Sequence, residues 1–333
     1  MEVGGSANIA KKKPSPFGLG KPMTEHLITD ISYRTDAPEP ISAFVGREYD
    51  TLRHVVWSPI RETSFAWREV FDAGLLRQMM HNRIRPFDWK KAEAQHRNFR
   101  QVLEDHGAIV HEPDFIPEIF SQYGTRDIGF VIDDLFVAAR PRRQYRQNEQ
   151  IGMRPIRSRL PKVGWLDSGS VEGGDVMLDE GIVMVGQSEE SDAKGVDALR
   201  YLLEQQKIDR EVVPIHFSHR GVIHLDCKLA VVGPRLALAQ ISAFAPASLK
   251  FLESRFELVP VTDTEQRDVQ INVVPLGGGK TIVKESARRV AEALAQHGLT
   301  PVPVPYDDVT TLPGSFRCTT LPLVRSPTMG STT

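Results

Sequence analysis

The sequence holds only two cysteines, Cys227 and Cys318, in 333 residues. So few thiols do not make a disulfide framework for a chain this long, and both are expected to be reduced, in a cytoplasmic setting. C-x-x-C and H-E-x-x-H are missing, so the 10 histidines offer no zinc spacing and no metal or organic cofactor is expected. No run approaches the roughly 18–20 apolar residues needed to span a bilayer. The N-terminus also lacks the apolar stretch of a secretory signal. Charge of one sign is lacking: 41 Lys and Arg stand against 43 Asp and Glu, a formal net charge of -2. That balance gives no reason to expect nucleic acid or membrane as a partner. Short basic runs at Lys11–Lys13 and Arg140–Arg146 read as solvated surface. Three nucleotide and hydrolase signatures fail as well. Gly277–Thr281 (GGGKT) would complete a phosphate loop only with glycine at 274, where Val274 stands. There is no G-x-S-x-G elbow and no G-x-G-x-x-G after a strand.

What is present is ordinary globular composition, 41% hydrophobic and 25% charged. Residues 1–40 are rich in Gly, Pro, Ser and Lys and read as a flexible N-terminal arm. Residues 41–333 read as a single domain. Its grammar repeats: an apolar strand, a tight turn, a second apolar strand, then an amphipathic helix. Hairpins are predicted at Gly129–Arg140, Asp175–Gln187, Cys227–Ile241 and Asn272–Lys284, with Asp-Asp, Asp-Glu-Gly, Gly-Pro and Gly-Gly-Gly at their turns. Comparable strands start at Val131, Val176, Leu229 and Val273, which are 45, 53 and 44 residues apart. That is a blade-sized period. Helices are predicted at Trp89–His106, over the stripe Val196, Leu199, Leu202 and Leu203, and over Ala287, Val290, Ala291 and Leu294 with Gly298 as cap. Further strands follow at Ala108–His111, Val212–His216, Leu258–Val261 and Pro301–Val304. The chain thus reads as about five βαβ-containing units in a ring, closed by His54–Trp57 and Thr319–Val324, around a central cavity. An open doubly wound sheet is the alternative.

Four short segments carry chemistry. Gly124–Asp127 (GTRD) places an acid beside a hairpin, and Glu172–Asp175 (EGGD) sets two glycines between two carboxylates. Paired glycines let backbone pack closely, and neighbouring acids are costly unless they hold a cation or donors. His224–Asp226 (HLD), read as strand, would project both side chains to one face, a general acid/base beside a carboxylate. Gly314–Pro322 (GSFRCTTLP) offers Cys318 among small residues and beside Arg317, the electropositive setting a reactive thiol wants. Cys227 lies in an alternating apolar stretch and reads as a core thiol.

In their order and spacing these segments resemble the guanidino-group-modifying (pentein) superfamily, which contains arginine deiminase, dimethylarginine dimethylaminohydrolase and amidinotransferases. The likeness runs from about Val45 to Arg325 and includes Gly46–Val56 (GREYDTLRHVV). It implies an α/β fold, a five-bladed α/β propeller of repeated ββαβ units with a central active site. It also implies Cys318 as nucleophile, His224 as general acid/base and Glu172 as a carboxylate that holds the guanidinium. Asp127 and Asp226 match further acids and, with Arg126 and Arg317, are the substrate-binding candidates. Asp175 matches a recurring position, assigned to structure.

The expected activity is hydrolysis of a guanidino or amidino carbon in arginine or a related small molecule, through a covalent Cys318 thiouronium. The alternative is transfer of the amidino group to an amine, and a lesser alternative is a non-catalytic binding protein. Arg317–Leu323 (RCTTLPL) looks more like the cysteine segment of arginine deiminases than the His-Cys start of amidinotransferases. Deiminase-like members tend to carry arginine in a segment resembling S-E-R-T. Here the run is Ser188–Asp192 (SEESD), so a cation for a substrate carboxylate would have to come from Arg142, Arg143, Arg146 or Arg325. A homo-oligomer is compatible with the sequence.

Overall fold

Every predicted hairpin forms. The structure, a computed structural model, describes residues 1, 39–61, 88–117, 119, 121–312 and 314–327. The expected arm over 1–40 falls almost wholly outside the described residues. Strands β3 (Gly129–Ile132) and β4 (Leu135–Ala138) pair antiparallel, as do β6 (Val176–Asp179) and β7 (Ile182–Gly186). So do β9 (Leu229–Gly233) and β10 (Leu236–Ala239), and β12 (Val274–Gly277) and β13 (Lys280–Lys284). Their two-residue connections need left-handed backbone. Asp133 (φ 50°), Gly181 (φ 70°) and Arg235 (φ 56°) supply it, as do Gly278 (φ 59°) and Gly279 (φ 78°).

Each hairpin gains a third strand that runs parallel to its second: β5 (Val163–Trp165), β8 (Glu211–Ile215), β11 (Glu257–Pro260) and β14 (Thr300–Val304). The fifth sheet closes the ring. The C-terminal strand β15 (Leu321–Ser326) pairs antiparallel with β1 (Thr51–Val56), and β2 (Ile109–His111) lies parallel on β1's other side. The five three-stranded sheets form the α/β propeller of repeated ββαβ units.

Parallel strands in one sheet need a crossover, and helices provide it. Helix α1 (Trp89–Asp105) buries Ala92, His96, Phe99 and Leu103, with Asp88 accepting from the Lys91 amide at its N-cap. Helix α2 (Ala193–Gln205) is capped by Asp192 and buries Val196, Leu199 and Leu203 against strand residues such as Leu135 and Val183. Each such aliphatic side chain contributes about 1.5–3 kcal/mol. Helices α3 (Pro246–Arg255) and α4 (Arg288–Gln296) serve the last two blades. The blade holding β3–β5 breaks the pattern. Between β4 and β5 the chain makes three short helical turns, Gln144–Gln147, Asn148–Ile151 and Arg154–Arg157, in place of a long helix. Among the described residues no helix is long and apolar enough to cross a membrane.

Candidate active site

The chemical segments occupy equivalent places in the ring, because each ends just before the first strand of its blade. A short 3-10 turn carries Thr125–Ile128 before β3, another Gly173–Asp175 before β6, and a third Leu225–Cys227 before β9. Cys318 lies in a turn just before β15, closed by the Thr319 amide on the Ser315 carbonyl. In this position side chains from different blades meet one another.

Two buried groups result. The first joins His224, Glu172 and Asp127. His224 Nε2 lies 3.0 Å from Glu172 Oε2, and Nδ1 lies 3.6 Å from Asp127 Oδ1. The glycines of EGGD make this possible. A Cβ on Gly174 would stand 2.7 Å from His224 Cγ and 2.8 Å from Asp127 Oδ1, and one on Gly173 would stand 2.1 Å from the Arg126 carbonyl oxygen. Burial works against charge on His224, but Asp127, Glu172 and Asp175 outweigh it and raise the imidazole well above the ordinary histidine range. Burial likewise opposes the Asp127 carboxylate, and His224 and Arg146 more than compensate, so its pKa is lowered.

Arg146 enters this group from the irregular segment after β4. Its Nη1 bonds Asp127 Oδ2 at 3.1 Å and Glu172 Oε2 at 2.9 Å, while Nε and Nη2 bond Glu149 at 3.1 and 3.0 Å. A residue of the basic run taken for solvated surface is therefore 11% exposed and holds three acids. Two of these acids keep one oxygen back: Asp127 Oδ1 and Glu172 Oε1 are buried without a hydrogen-bond partner among the described residues. Two such acceptors are costly unless a donor arrives.

The second group surrounds Cys318. Its Sγ lies 3.8 Å from Asp226 Oδ2, and Cys227 Sγ lies 3.6 Å from Asp226 Oδ1. Asp226 also accepts from Arg317 Nη1 at 3.1 Å, and Arg317 Nη2 reaches Glu48 at 3.1 Å and the Val176 carbonyl at 2.8 Å. Asn272, two residues before β12, completes the ring of equivalent positions. Its Oδ1 accepts from the Arg317 and Cys318 amides at 2.8 and 3.3 Å, and its Nδ2 donates to the Asp226 carbonyl at 3.1 Å. The Arg126 amide donates to the Cys318 carbonyl at 3.1 Å, tying the two segments together.

Several expectations need correcting. His224 and Asp226 do not share the face of a strand, because the chain turns into a 3-10 turn after His224. The histidine meets Glu172 and Asp127, while Asp226 meets Arg317 and the thiols. Arg126 and Arg317 are not placed to hold a substrate. Arg317 is 3% exposed and committed to Glu48 and Asp226. Arg126 is buried on the Arg317 carbonyl, its pKa pushed down to about 9 by burial and by Arg317's charge. Cys227 is partly exposed and beside Cys318, not in a strand core. Among the arginines offered for a substrate carboxylate, Arg325 is buried on the Asp50 and Pro275 carbonyls. Arg143 is paired with Glu190 at 2.7 Å, and Arg142 donates to the Glu189 carbonyl. Ser188 and Ser191 both donate to Asp175 Oδ2, and the Leu225 amide donates to Oδ1, so Asp175 has the structural role expected. Arg146, also offered for a substrate carboxylate, is instead committed to Asp127, Glu172 and Glu149, while Glu48 and Asn272 were missed. Only Asn272 had a signal, its position two residues before a hairpin strand, as for Asp127.

Two donor sets could accept a metal ion, Asp127 with Glu172 and His224, and Asp226 with Cys227 and Cys318, each within 4.8 Å. In the first, the Arg146 guanidinium already sits on both carboxylates.

The chain has recognisable relatives. The arginine deiminase family model matches residues 143–239. An uncharacterised Bacillus subtilis protein, YkgA, is 31% identical over 241 residues, 71% of this chain and 81% of its own length. The chain belongs to the pentein superfamily. Another pentein, the N(G),N(G)-dimethylarginine dimethylaminohydrolase of Streptomyces coelicolor, is 27% identical over 66% of this chain and 80% of its own. Among solved pentein folds, SxtG, an amidinotransferase from Microseira wollei, superposes with a TM-score of 0.73 at 16% identity, covering 87% of this chain and 99% of that one.

Proposed function

We propose that the protein hydrolyses the guanidino or amidino carbon of a small molecule, arginine or an arginine-like compound, with Cys318 as covalent nucleophile. The observation that carries this reading is a pair of buried oxygens without a hydrogen bond, Glu172 Oε1 and Asp127 Oδ1, on the two acids that meet the charged imidazole, Asp127 Oδ1 being 3.6 Å from its Nδ1. A guanidinium brings planar N–H donors that satisfy both. Held there, it presents a carbon made electrophilic enough for a thiolate.

In the first half-reaction Cys318 sulfur bonds to that carbon and a C–N bond breaks. The departing amine takes a proton from His224, which Asp127 and Glu172 hold in its charged form. In the second, His224 takes a proton from water as its oxygen bonds to the thiouronium carbon. The C–S bond then breaks and Cys318 is free again. Arg146 supports the step by anchoring the other oxygen of each acid, so the free oxygens are fixed before substrate arrives.

The likeness to a dimethylarginine dimethylaminohydrolase and to the deiminase family model favours water over an amine in the second step. The test is incubation with a panel of guanidino compounds, with and without an amine acceptor, followed by mass spectrometry of products and of acid-quenched enzyme. Release of ammonia, urea or alkylamine in water alone, with an adduct on Cys318 that Cys318→Ser lacks, is the expected result. Product only in the presence of an amine selects amidino transfer, and a folded, fully active Cys318→Ser sinks the mechanism.

A further inference from the structure

The two cysteines of this chain lie 91 residues apart in sequence yet share one carboxylate. Their sulfur atoms and an Asp226 oxygen lie within 4.8 Å of one another. The placement follows from the ring. Cys227 ends the 3-10 turn before β9, Cys318 lies in the turn before β15, and the two turns meet at Asp226. Cys227 plays no part in the reaction above. Its thiol nonetheless lies on the Asp226 carboxylate at 3.6 Å, whereas a thiol kept for packing would be sealed among aliphatic side chains.

We propose that Cys227 and Cys318 form an oxidative modification site, where a hydroperoxide converts the two thiols into a reversible disulfide and removes the nucleophile. The loss of activity, though not the disulfide itself, rests on Cys318 being that nucleophile. The chemistry balances in two steps. Cys318 sulfur attacks one peroxide oxygen, the O–O bond breaks, and the leaving hydroxide or alkoxide takes a proton and departs as water or an alcohol, with Cys318 now a sulfenic acid. Cys227 sulfur then attacks the Cys318 sulfur. The S–S bond forms, the S–O bond breaks, and the hydroxide leaves as water with the Cys227 proton. The sulfurs give up two electrons and the peroxide takes them.

Two features favour the second step over further oxidation. A disulfide bond of about 2.0 Å asks the sulfurs to close by less than roughly 3 Å. Both thiols also lie on the one Asp226 carboxylate, at 3.6 and 3.8 Å, so the resolving sulfur already stands beside the one to be oxidised.

The experiment treats the full chain with hydrogen peroxide and follows intact mass, free-thiol count, a non-reducing peptide map and turnover before and after dithiothreitol. The wild type is expected to lose two thiols and 2 Da and to yield a peptide linking Cys227 to Cys318. Dithiothreitol should restore most of its turnover. Cys227→Ser is expected to gain 32 Da at Cys318 as sulfinic acid, with turnover that dithiothreitol does not restore. A wild-type chain that gains 32 Da while Cys227 stays alkylatable overturns the proposal, as does equal rescue of Cys227→Ser. The thiol count and map are read on the wild type, so they stand even if the variant misfolds. A mapped Cys227–Cys318 disulfide with full turnover would refute Cys318 as nucleophile and leave the disulfide standing.

Discussion

Glu172 meets His224 through Oε2 alone, at 3.0 Å from Nε2, and leaves Oε1 buried and unpartnered. One carboxylate thus serves an imidazole it keeps charged and the Arg146 guanidinium, with one oxygen kept for a further donor. The charge on His224 is won against burial by Asp127, Glu172 and Asp175. Glu172→Gln removes part of that support, so the folded pKa of His224 falls. The protonated form then disappears at lower pH, and the alkaline limb of the rate profile should move down in pH. A fall of about a hundredfold in kcat at neutral pH is in keeping with losing general acid function. A pH–rate series on the two proteins checks this, and an unmoved alkaline limb would separate Glu172 from His224.

Asn272 makes a prediction of a different kind, because it touches no reacting group. Its Oδ1 accepts from the amides of Arg317 and Cys318, both buried. Asn272→Ala leaves these N–H groups without an acceptor, at about 1–3 kcal/mol for each orphaned group. Urea unfolding should show a loss of about 2–4 kcal/mol. At temperatures where the variant stays folded, kcat should fall more than KM rises, because the turn of the proposed nucleophile is loosened while the acids proposed to hold the guanidinium are intact.

Much of this fold could be read locally, and the exceptions share a cause. Hairpins and helices were legible because period-2 and helical stripes, and turn residues such as Asp133 and Gly181, act over a few positions. The candidate acids were legible because they stand just before apolar strands at blade-spaced intervals. Arg146 was not, since a basic run looks the same whether solvated or folded back onto Asp127 and Glu172. Pairing at 19 and 26 residues' separation depends on the missing crossover helix of that blade, where three short turns stand instead. Cys227 was misplaced for a related reason. Its alternating neighbours belong to β9, but the residue itself ends the turn before that strand.

The glycines of EGGD should fail in different ways. A Cβ on Gly173 would lie 2.1 Å from the Arg126 carbonyl oxygen and 2.6 Å from that of Gly129, both backbone atoms that cannot step aside. A Cβ on Gly174 would meet the His224 ring and the Asp127 carboxylate at 2.7 and 2.8 Å, which are side-chain atoms. Gly173→Ala is therefore expected to destabilise the fold by more than about 2 kcal/mol, the overpacking range. Gly174→Ala should keep more of its stability and lose activity instead, since the imidazole is displaced. Thermal melts beside kcat measurements test the ordering. The reverse order would mean that the blade contact yields more readily than the histidine.

Asp175 gives the fold a pH dependence whose sign can be fixed. Burial raises its pKa to about 7, although His224, Ser188, Ser191 and the Leu225 amide all favour the carboxylate. An acid whose folded pKa lies above its unfolded value binds more protons in the native state between the two. Its contribution is therefore fully present below the unfolded value, near 3.8, and is lost as pH rises toward 7. Serine hydroxyls rotate, so one of them can accept from the protonated acid when the other donates. Asp175→Asn keeps an acceptor for the Leu225 amide and removes the titration. Stability measured by urea unfolding from pH 4 to 7 should decline more steeply in the wild type than in the variant. Parallel curves would show that the three donors hold Asp175 ionised across this range.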